Sequence, residues 1–362
     1  MKYRIDIEDA VHLANWYEKN KRQLPWRDTG NPYDVWLSEV MLQQTRIEAV
    51  KEKFKLFQKE LPTITDLANC EEDRLMRLWE GLGYYSRARN LKKCARMLVE
   101  EYGGELPADY PTLLKLPGIG PYTAGAIASL AFGIPVPAVD GNVMRVLSRY
   151  FADEQDIRQA TVRKMYEEMI RNLFLEKMDN SFVRNWNQGV MELGETICIP
   201  TGSPNCMNCP FFASCCARKE GKIDTIPYRS RLKDRKIVER TLLVIKDGEH
   251  FLIHKRPTKG LLAGLYEFYG VDCYMTKEMA IQEVEKLGVY PLHIKVLPEA
   301  KHIFSHIEWN MHAYEVQTEQ IEEVEREDFY LVSKEKIQEI AFPSAFKTYI
   351  EYYALREKEN KR

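Results

Sequence analysis

Five of the eight cysteines in this 362-residue chain fall between Cys198 and Cys216. Cys198, Cys206, Cys209 and Cys215 leave gaps of seven, two and five residues. A two-residue gap lets two thiolates face one metal centre, and longer loops carry the other two around it. In a reducing compartment such crowding points to metal ligation rather than disulfides. Four thiolates suit either zinc or an iron–sulfur cluster, and spacing alone does not choose between them. Cys216 is an alternative to Cys215 as fourth ligand. A helix over Val183–Thr196 leads directly into this loop.

Helical periodicity extends from that loop back almost to the first residues. Ala10, Leu13, Ala14 and Tyr17 recur at helical spacing, and residues 35–57 read as a second long helical zone. Leu75, Leu78, Trp79 and Leu82 form a stripe that stops at Gly81-Leu82-Gly83; Leu91, Ala95 and Leu98 continue the pattern. Further helices are predicted after Thr123 and over 161–174. Past about residue 225 the texture changes. Short apolar runs at 238–245 and 250–254 are split by Asp247-Gly248, a hairpin signal. Residues 292–297, 301–307 and 311–316 read as strands, 276–287 and 334–340 as helices. The predicted fold is therefore two-domain: an all-α domain over 1–221 carrying the cysteine loop 198–215, and an α+β domain over 237–355. A basic linker, 222–236, joins them, and 356–362 reads as a solvated tail.

The net charge is −2, which lends no support to nucleic-acid binding. Any such claim rests on local geometry, although Arg229, Arg231, Lys233, Arg235 and Lys236 form a basic run. The N-terminus opens on charged residues, and no stretch approaches the ~20 apolar residues that span a bilayer. The expectation is a cytoplasmic, monomeric protein with no membrane association.

Two segments carry chemistry. In Leu116-Pro117-Gly118-Ile119-Gly120-Pro121-Tyr122, Gly118 and Gly120 permit tight turns and leave N–H groups near a helix start, where a phosphate binds. Twenty residues after Gly120 comes Asp140, within Val139-Asp140-Gly141-Asn142-Val143-Met144-Arg145-Val146. By itself that aspartate reads equally as a helix cap. Together the two segments resemble the helix-hairpin-helix–Gly/Pro–Asp pattern of DNA repair glycosylases. The cysteine run is similar to the [4Fe–4S] loop of the endonuclease III and MutY superfamily, which usually has six residues in the first gap. The resemblance implies a catalytic Asp140, Gly118 and Gly120 against backbone phosphate, and a structural [4Fe–4S] cluster on the four cysteines.

Within that superfamily, Ser38-Glu39-Val40-Met41-Leu42-Gln43-Gln44-Thr45 resembles the SE(V/I)MLQQT signature of MutY-type adenine glycosylases. The implied substrate is double-stranded DNA holding adenine opposite 8-oxoguanine or guanine, and the implied location is nucleoid-associated. Breaking an N-glycosidic bond passes through an oxocarbenium-like state, which two carboxyls serve: Asp140 steadies sugar charge and Glu39 protonates the leaving base. A free glutamate titrates near ~4.3, so Glu39 needs burial and a charged neighbour to hold its proton. Tyr122 stands where bifunctional relatives carry a Schiff-base lysine, so the resemblance implies a monofunctional enzyme that leaves an abasic site. It also implies that Tyr122 and Asn142 assist at sugar and base, that Gln44 and Tyr84 wedge into the duplex, and that Trp26, Arg27 and Gln188 line the adenine pocket. Gln188 departs from the glutamate often found there. Arg87 and Arg89 read as phosphate contacts or solvated charges, and Arg218 and Lys219 as neighbours of phosphate.

His254-Lys255-Arg256-Pro257 with Gly260–Phe268 resembles the Nudix-type C-terminal domain of MutY enzymes. The stretch at 281–288 lacks the Arg-Glu pair of a working Nudix box, which argues against pyrophosphate hydrolysis. Phe304-Ser305-His306 matches the family loop that contacts 8-oxoguanine, and core Phe304 beside surface polar neighbours is the plainer alternative.

Overall fold

The computed structural model describes residues 3–177, 179–231, 234–319, 321 and 328–353. The expected tail at 356–362, positions 354–355, and 232–233 of the expected linker (Lys233 of the basic run among them) lie outside the described residues. The chain divides into two compact units. One comprises Met1–Asn69 with Asn90–Arg231, the other Cys70–Arg89 with Leu232–Arg362. Among the described residues no helix is long and apolar enough to cross a membrane.

In chain order the helices begin with α1 (Ile7–Asn20), α2 (Pro32–Leu42), α3 (Ile47–Glu60) and α4 (Ile64–Asn69). Next come α5 (Glu72–Trp79), in the segment grouped with the second unit, and α6 (Ser86–Tyr102). The first unit continues with α7 (Tyr110–Leu113), α8 (Pro121–Ala126), α9 (Gly141–Phe151), α10 (Ala160–Glu176), α11 (Asn180–Thr196) and α12 (Cys216–Lys219). On α1 the predicted stripe is the buried one: Ala10, Leu13, Ala14 and Tyr17. Leu13 and Ala14 join Val143 and Leu147 of α9, Tyr166 and Ile170 of α10, and Trp186 and Val190 of α11 in one core. Burying each large side chain there contributes roughly 1.5–3 kcal/mol. Short polar residues start the helices: Asp6 caps α1, Asn31 caps α2 with Pro32 behind it, and Asp140 caps α9.

The zone read as one helix over 35–57 is two. Gln43 leaves helical geometry and Gln44 takes a left-handed φ of +56°, so α2 and α3 meet at a sharp turn. No glycine or proline marks that turn, which is why periodicity runs through it. At α8, Gly125 lies so close to the backbone that precedes α9 that a Cβ would sit 2.2 Å from the Pro137 carbonyl oxygen. This approach sets the depth at which Asp140 enters the domain.

The second unit holds a six-stranded mixed sheet of β1 (Lys236–Asp247), β2 (His250–Lys255), β3 (Tyr266–Val271), β4 (Pro291–Ile303), β5 (Ile307–Thr318) and β6 (Phe329–Ser333). The spatial order is β4-β5-β1-β3-β2-β6, with β1 and β5 parallel and the remaining pairs antiparallel. The Asp247-Gly248 hairpin forms as expected, with Asp247 paired to His250. The strand expected over 301–307 is instead the end of β4, a turn at 304–306 and the start of β5. Helices α13 (Lys277–Glu285), α14 (Lys334–Glu339) and α15 (Lys347–Tyr352) complete the unit. Strands β3 and β6 were not read from periodicity. β3 is held inside by Glu267, buried, which accepts from Arg240 at 3.0 Å and Arg256 at 2.7 Å and contacts His254 at 3.2 Å. Arg240 also lies over the Trp309 ring, 4.5 Å from its centroid.

Gly125→Ala forces the backbone at 137 to move. We expect a loss of about 1–3 kcal/mol, the usual penalty of overpacking, read as a lower urea midpoint with an unchanged slope; an unchanged midpoint would refute the close packing at this point.

Candidate active site

A cavity of about 1520 Å3 opens between α2, α8, the start of α9 and α11 in the first unit. Glu39, Tyr122, Asp140 and Asn142 all line it. Glu39 sits on the inner face of α2 and is only 8% exposed. The Tyr122 hydroxyl, from the first turn of α8, donates to Glu39 Oε2 at 2.6 Å and rests 3.7 Å from Met191 Sδ. Burial pushes the Glu39 carboxyl up to about 7, the Tyr122 hydrogen bond draws it partway back, and the Asp140 charge adds to the rise. Burial also raises the Tyr122 phenol well above its ordinary value, reinforced by Glu39 and Asp140. The pair thus meets as a phenol donor and a carboxyl that keeps its proton close to neutral pH.

Asp140 is both a cap and a cavity wall, so the two readings of it from sequence coincide. Oδ1 accepts from the Val143 N–H at 2.8 Å and Oδ2 from Asn142 Nδ2 at 2.7 Å. Burial raises its carboxyl, while these two donors hold it down. The start of α9 favours negative charge as well. Asp140 therefore has donors that favour its ionised form and that Glu39 lacks.

Asn142 is fixed from behind. Arg145, buried, donates to Asn142 Oδ1 at 2.7 Å, to the Gly194 carbonyl at 2.7 Å and to the Cys198 carbonyl at 2.8 Å. One guanidinium joins the cysteine loop to the residue that holds Asp140. Arg149, one turn on, reaches Cys198 Sγ at 3.3 Å. The cysteine loop, distant in sequence, is thus fastened to α9.

The cavity's other wall is ionic. Trp26 lies buried edge-on to Phe54, and Arg27, over the Tyr17 ring, donates to Glu192 at 2.6 Å. Gln188 is engaged too, its Oε1 accepting from the Tyr17 hydroxyl at 2.8 Å. Glu192 and Glu195, not singled out from the sequence, also line the cavity, and Arg22 pairs with both. Arg22 grips Glu192 at 2.6 and 2.8 Å and also binds Glu195. Burial alone would raise the Glu192 carboxyl, but the Arg22 and Arg27 hydrogen bonds outweigh it and hold it at about 2. A signal did exist: Arg22 stands four residues before Trp26, and Gln188, Met191, Glu192 and Glu195 follow helical spacing along α11.

At the cysteine loop the seven-residue gap closes on itself, the Asn205 N–H donating to the Ile197 carbonyl at 3.1 Å. Cys198, Cys209 and Cys215 pack against the helical core. Burial pushes the Cys209 thiol up to about 12, and the charges of Cys198, Cys215 and Cys206 act on it in addition. Cys216 acts on the neighbouring Cys215 rather than on Cys209, and its Sγ lies against the Ser214 carbonyl. Arg218 stacks on Phe212, 4.1 Å from the ring centroid, and donates to its carbonyl. Lys222–Tyr228 is fastened to the same unit, Arg149 donating to the Ile226 carbonyl and Ile157 N–H to that of Tyr228.

Gly118, with φ of +76°, and Gly120, which precedes α8, form the hairpin at the cavity edge, and Gln44 is exposed at the α2–α3 turn. Tyr84 belongs to the other unit, exposed and at φ of +45°. Arg87 does not reach outward for phosphate. It is buried, lies over the Trp79 ring, and donates to the Leu82 and Gly83 carbonyls at 2.7 and 3.0 Å, which holds the Tyr84 turn in shape. Arg89 is also engaged, with Glu72 and the Ala263 carbonyl. At the β4–β5 tip, Ser305 and His306 are exposed, while Phe304 packs edge-on to Trp309 at 4.9 Å.

Tyr122→Phe removes the donor that favours the ionised Glu39. The carboxyl should then titrate higher than in the unaltered protein, measured by 13C NMR of labelled glutamate; a downward movement would contradict the hydrogen bond's direction.

Comparison with known proteins agrees with this geometry. Residues 37–172 match the model of the HhH-GPD superfamily base excision DNA repair proteins, and residues 240–352 match a NUDIX domain. The adenine DNA glycosylase of Mus musculus is 34% identical over 87% of this chain and 72% of its own length. That of Buchnera aphidicola subsp. Schizaphis graminum is 35% identical over 81% of this chain and 83% of its own. A solved thermostable thymine-DNA glycosylase superposes with a TM-score of 0.52 at 27% identity, covering 58% of this chain and 95% of that one. Helix-hairpin-helix, capping aspartate, cysteine loop and Nudix-like sheet occur here in one chain, and that chain belongs to the adenine DNA glycosylase family of the HhH-GPD base excision repair superfamily.

Proposed function

We propose that the protein hydrolyses the N-glycosidic bond of adenine paired with 8-oxoguanine or guanine in duplex DNA and leaves an abasic site. The observation that carries this reading is the buried Glu39, held by Tyr122 and facing the same cavity as Asp140. Tyr122 occupies Oε2, so the proton of Glu39 is presented on Oε1 toward an extruded base. Protonating adenine at N7 turns it into a better leaving group. As the bond breaks, positive charge grows on the sugar, and the Asp140 carboxylate, braced by Asn142 and Val143, opposes it. Extrusion itself costs a few kcal/mol. Gln44 and Tyr84 are the residues we assign to fill the stack left behind, with Gly118 and Gly120 against the phosphates. The adenine sits against Trp26, Arg27 and Gln188, with Arg27 held by Glu192 and Arg22 pairing with Glu192 from behind. Tyrosine in place of lysine at 122 supports hydrolysis without strand cleavage. One chain carries every residue of this site, which supports action as a monomer, and a DNA substrate supports a cytoplasmic, nucleoid-associated location.

Cys198, Cys206, Cys209 and Cys215 fit a [4Fe–4S] cluster: four thiols within electrostatic reach of each other, in a loop closed at its base. When bound there, the cluster would stiffen the loop that Arg145 ties to Asn142.

Glu39 acts in its protonated form. Excision should therefore be fastest below its titration and fall about tenfold per pH unit above about 7. Single-turnover excision of adenine opposite 8-oxoguanine and guanine, with thymine and oxidised-pyrimidine duplexes as controls, tests the reading. Glu39→Gln should lose roughly 10²–10⁴-fold; near-normal excision by that variant would sink the assignment.

We assign recognition of 8-oxoguanine to the β4–β5 tip, where Ser305 and His306 are exposed for contact with the O8 and N7–H that distinguish it from guanine. Replacing Phe304, Ser305 and His306 by alanine should erase most of the preference over guanine while leaving Glu39-dependent excision of an A:G pair. An intact preference would place recognition elsewhere.

A further inference from the structure

We propose that Glu195 is a positioning residue of this site, holding Arg22 at the cavity rim and presenting a third carboxylate toward Glu39. The inference rests on Glu39 acting as the general acid and extends that reading to a residue no motif marks.

The geometry starts on α11. Gln188, Met191, Glu192 and Glu195 all line the cavity, at spacings of three, four and seven residues along one helical face. Met191 touches the Tyr122 hydroxyl that binds Glu39, and Glu195 follows one turn later on the same face. Its neighbour Gly194 fixes how near that turn comes to the reacting groups: a Cβ at 194 would sit 2.6 Å from Asn142 Cβ. The end of α11 is thus pressed against the residue that holds Asp140, and Glu195 is carried to the mouth of the site.

Charge at this rim is arranged unevenly. Arg22 bonds to both Glu192 and Glu195, whereas Glu192 draws on both Arg22 and Arg27. Glu192 is fully buried and satisfied; Glu195 has one partner and a partly open face. The groups that act on Glu39 come from every side of the cavity. They are Tyr122 on α8, Asp140 at the start of α9, Arg27 before α2 and Glu195 on α11, with Arg22 and Glu192 behind the last two. Tyr122 and Arg27 favour the charged carboxylate, and Asp140 and Glu195 favour the protonated acid. Glu195 also raises Tyr122 and Asp140, so its charge reaches all three. Removing it takes away one of the two negative charges that keep the proton on Glu39.

Two readouts separate this from a merely structural role. The first is the Glu39 carboxyl titration by 13C NMR in the DNA-free protein; the second is the alkaline limb of single-turnover adenine excision. In Glu195→Gln both should move to lower pH by about half a unit, which slows excision about threefold above the limb. The NMR shift should shrink in high salt, because the charge sits at an exposed rim. Glu195→Asp should restore both positions toward the unaltered protein, and Glu195→Ala, with no amide left to bind Arg22, should move both as Gln does. Curves that superimpose on the unaltered protein, an upward shift, or slower excision at every pH with an unmoved limb would overturn the proposal. If the unaltered protein shows no excision, the proposed function fails while the NMR titration still decides the role of Glu195.

Discussion

A carboxyl group taken out of water needs either a counter-charge or a proton, and among the described residues no cation is bonded to Glu39, Arg27 acting on it only through space. Glu39 lies on the inner face of α2 with one neutral donor, the Tyr122 hydroxyl, and an acidic neighbour in Asp140. In that setting the proton is the cheapest way to satisfy the group near neutral pH. The rest of the first unit can be understood as what maintains this imbalance. The close approach at Gly125 carries Asp140 inward, the α9 cap gives it donors that Glu39 does not have, and the ionic wall on α11 sets the field on the far side. Burial raises both carboxyls, and their hydrogen-bond partners favour charge on Asp140 more than on Glu39.

The cysteine loop takes part through packing and hydrogen bonds rather than through chemistry at the bond being broken. Arg145 is the physical link. Its donors are divided among the Cys198 carbonyl, the Gly194 carbonyl and Asn142, so movement of the loop is felt where Asp140 is held. Placing a charged guanidinium in a buried position is expensive unless its donors are paired, and here they tie together three segments far apart in sequence. The second unit follows a similar rule at a different place: Glu267 draws Arg240, Arg256 and His254 to one buried point beneath the sheet.

Much of this was legible in the chain itself, for a definable reason. The stripe on α1, the glycine hairpin, the aspartate after it and the cysteine spacing are all local, and local spacing maps directly onto backbone geometry. Where the reading went astray, residue type and periodicity alone did not show how the chain turns or what encloses a side chain. The turn at Gln44 has no breaker residue, and it divides a zone that periodicity treats as one helix. The polar tip at 304–306 interrupts what looks like a strand because β4 and β5 must pair with each other. Arg87 reads as a surface cation and is instead enclosed by Trp79 and the carbonyls of its own turn.

Sequence alone determined which residue types are available and in what order: a glutamate in an apolar helix, a tyrosine where a lysine would alter the chemistry, an aspartate at a helix start, four thiols at the end. Tertiary structure alone decided their state. A carboxyl's proton affinity depends on burial and on charges within a few ångströms, and those neighbours come from α8, α9 and α11, up to about 150 residues away from Glu39 along the chain. Arg22 and Glu195 belong to no motif in the sequence for the same reason. Only folding brings them to one rim, and electrostatic energy depends on distance through space, which order along a chain does not encode.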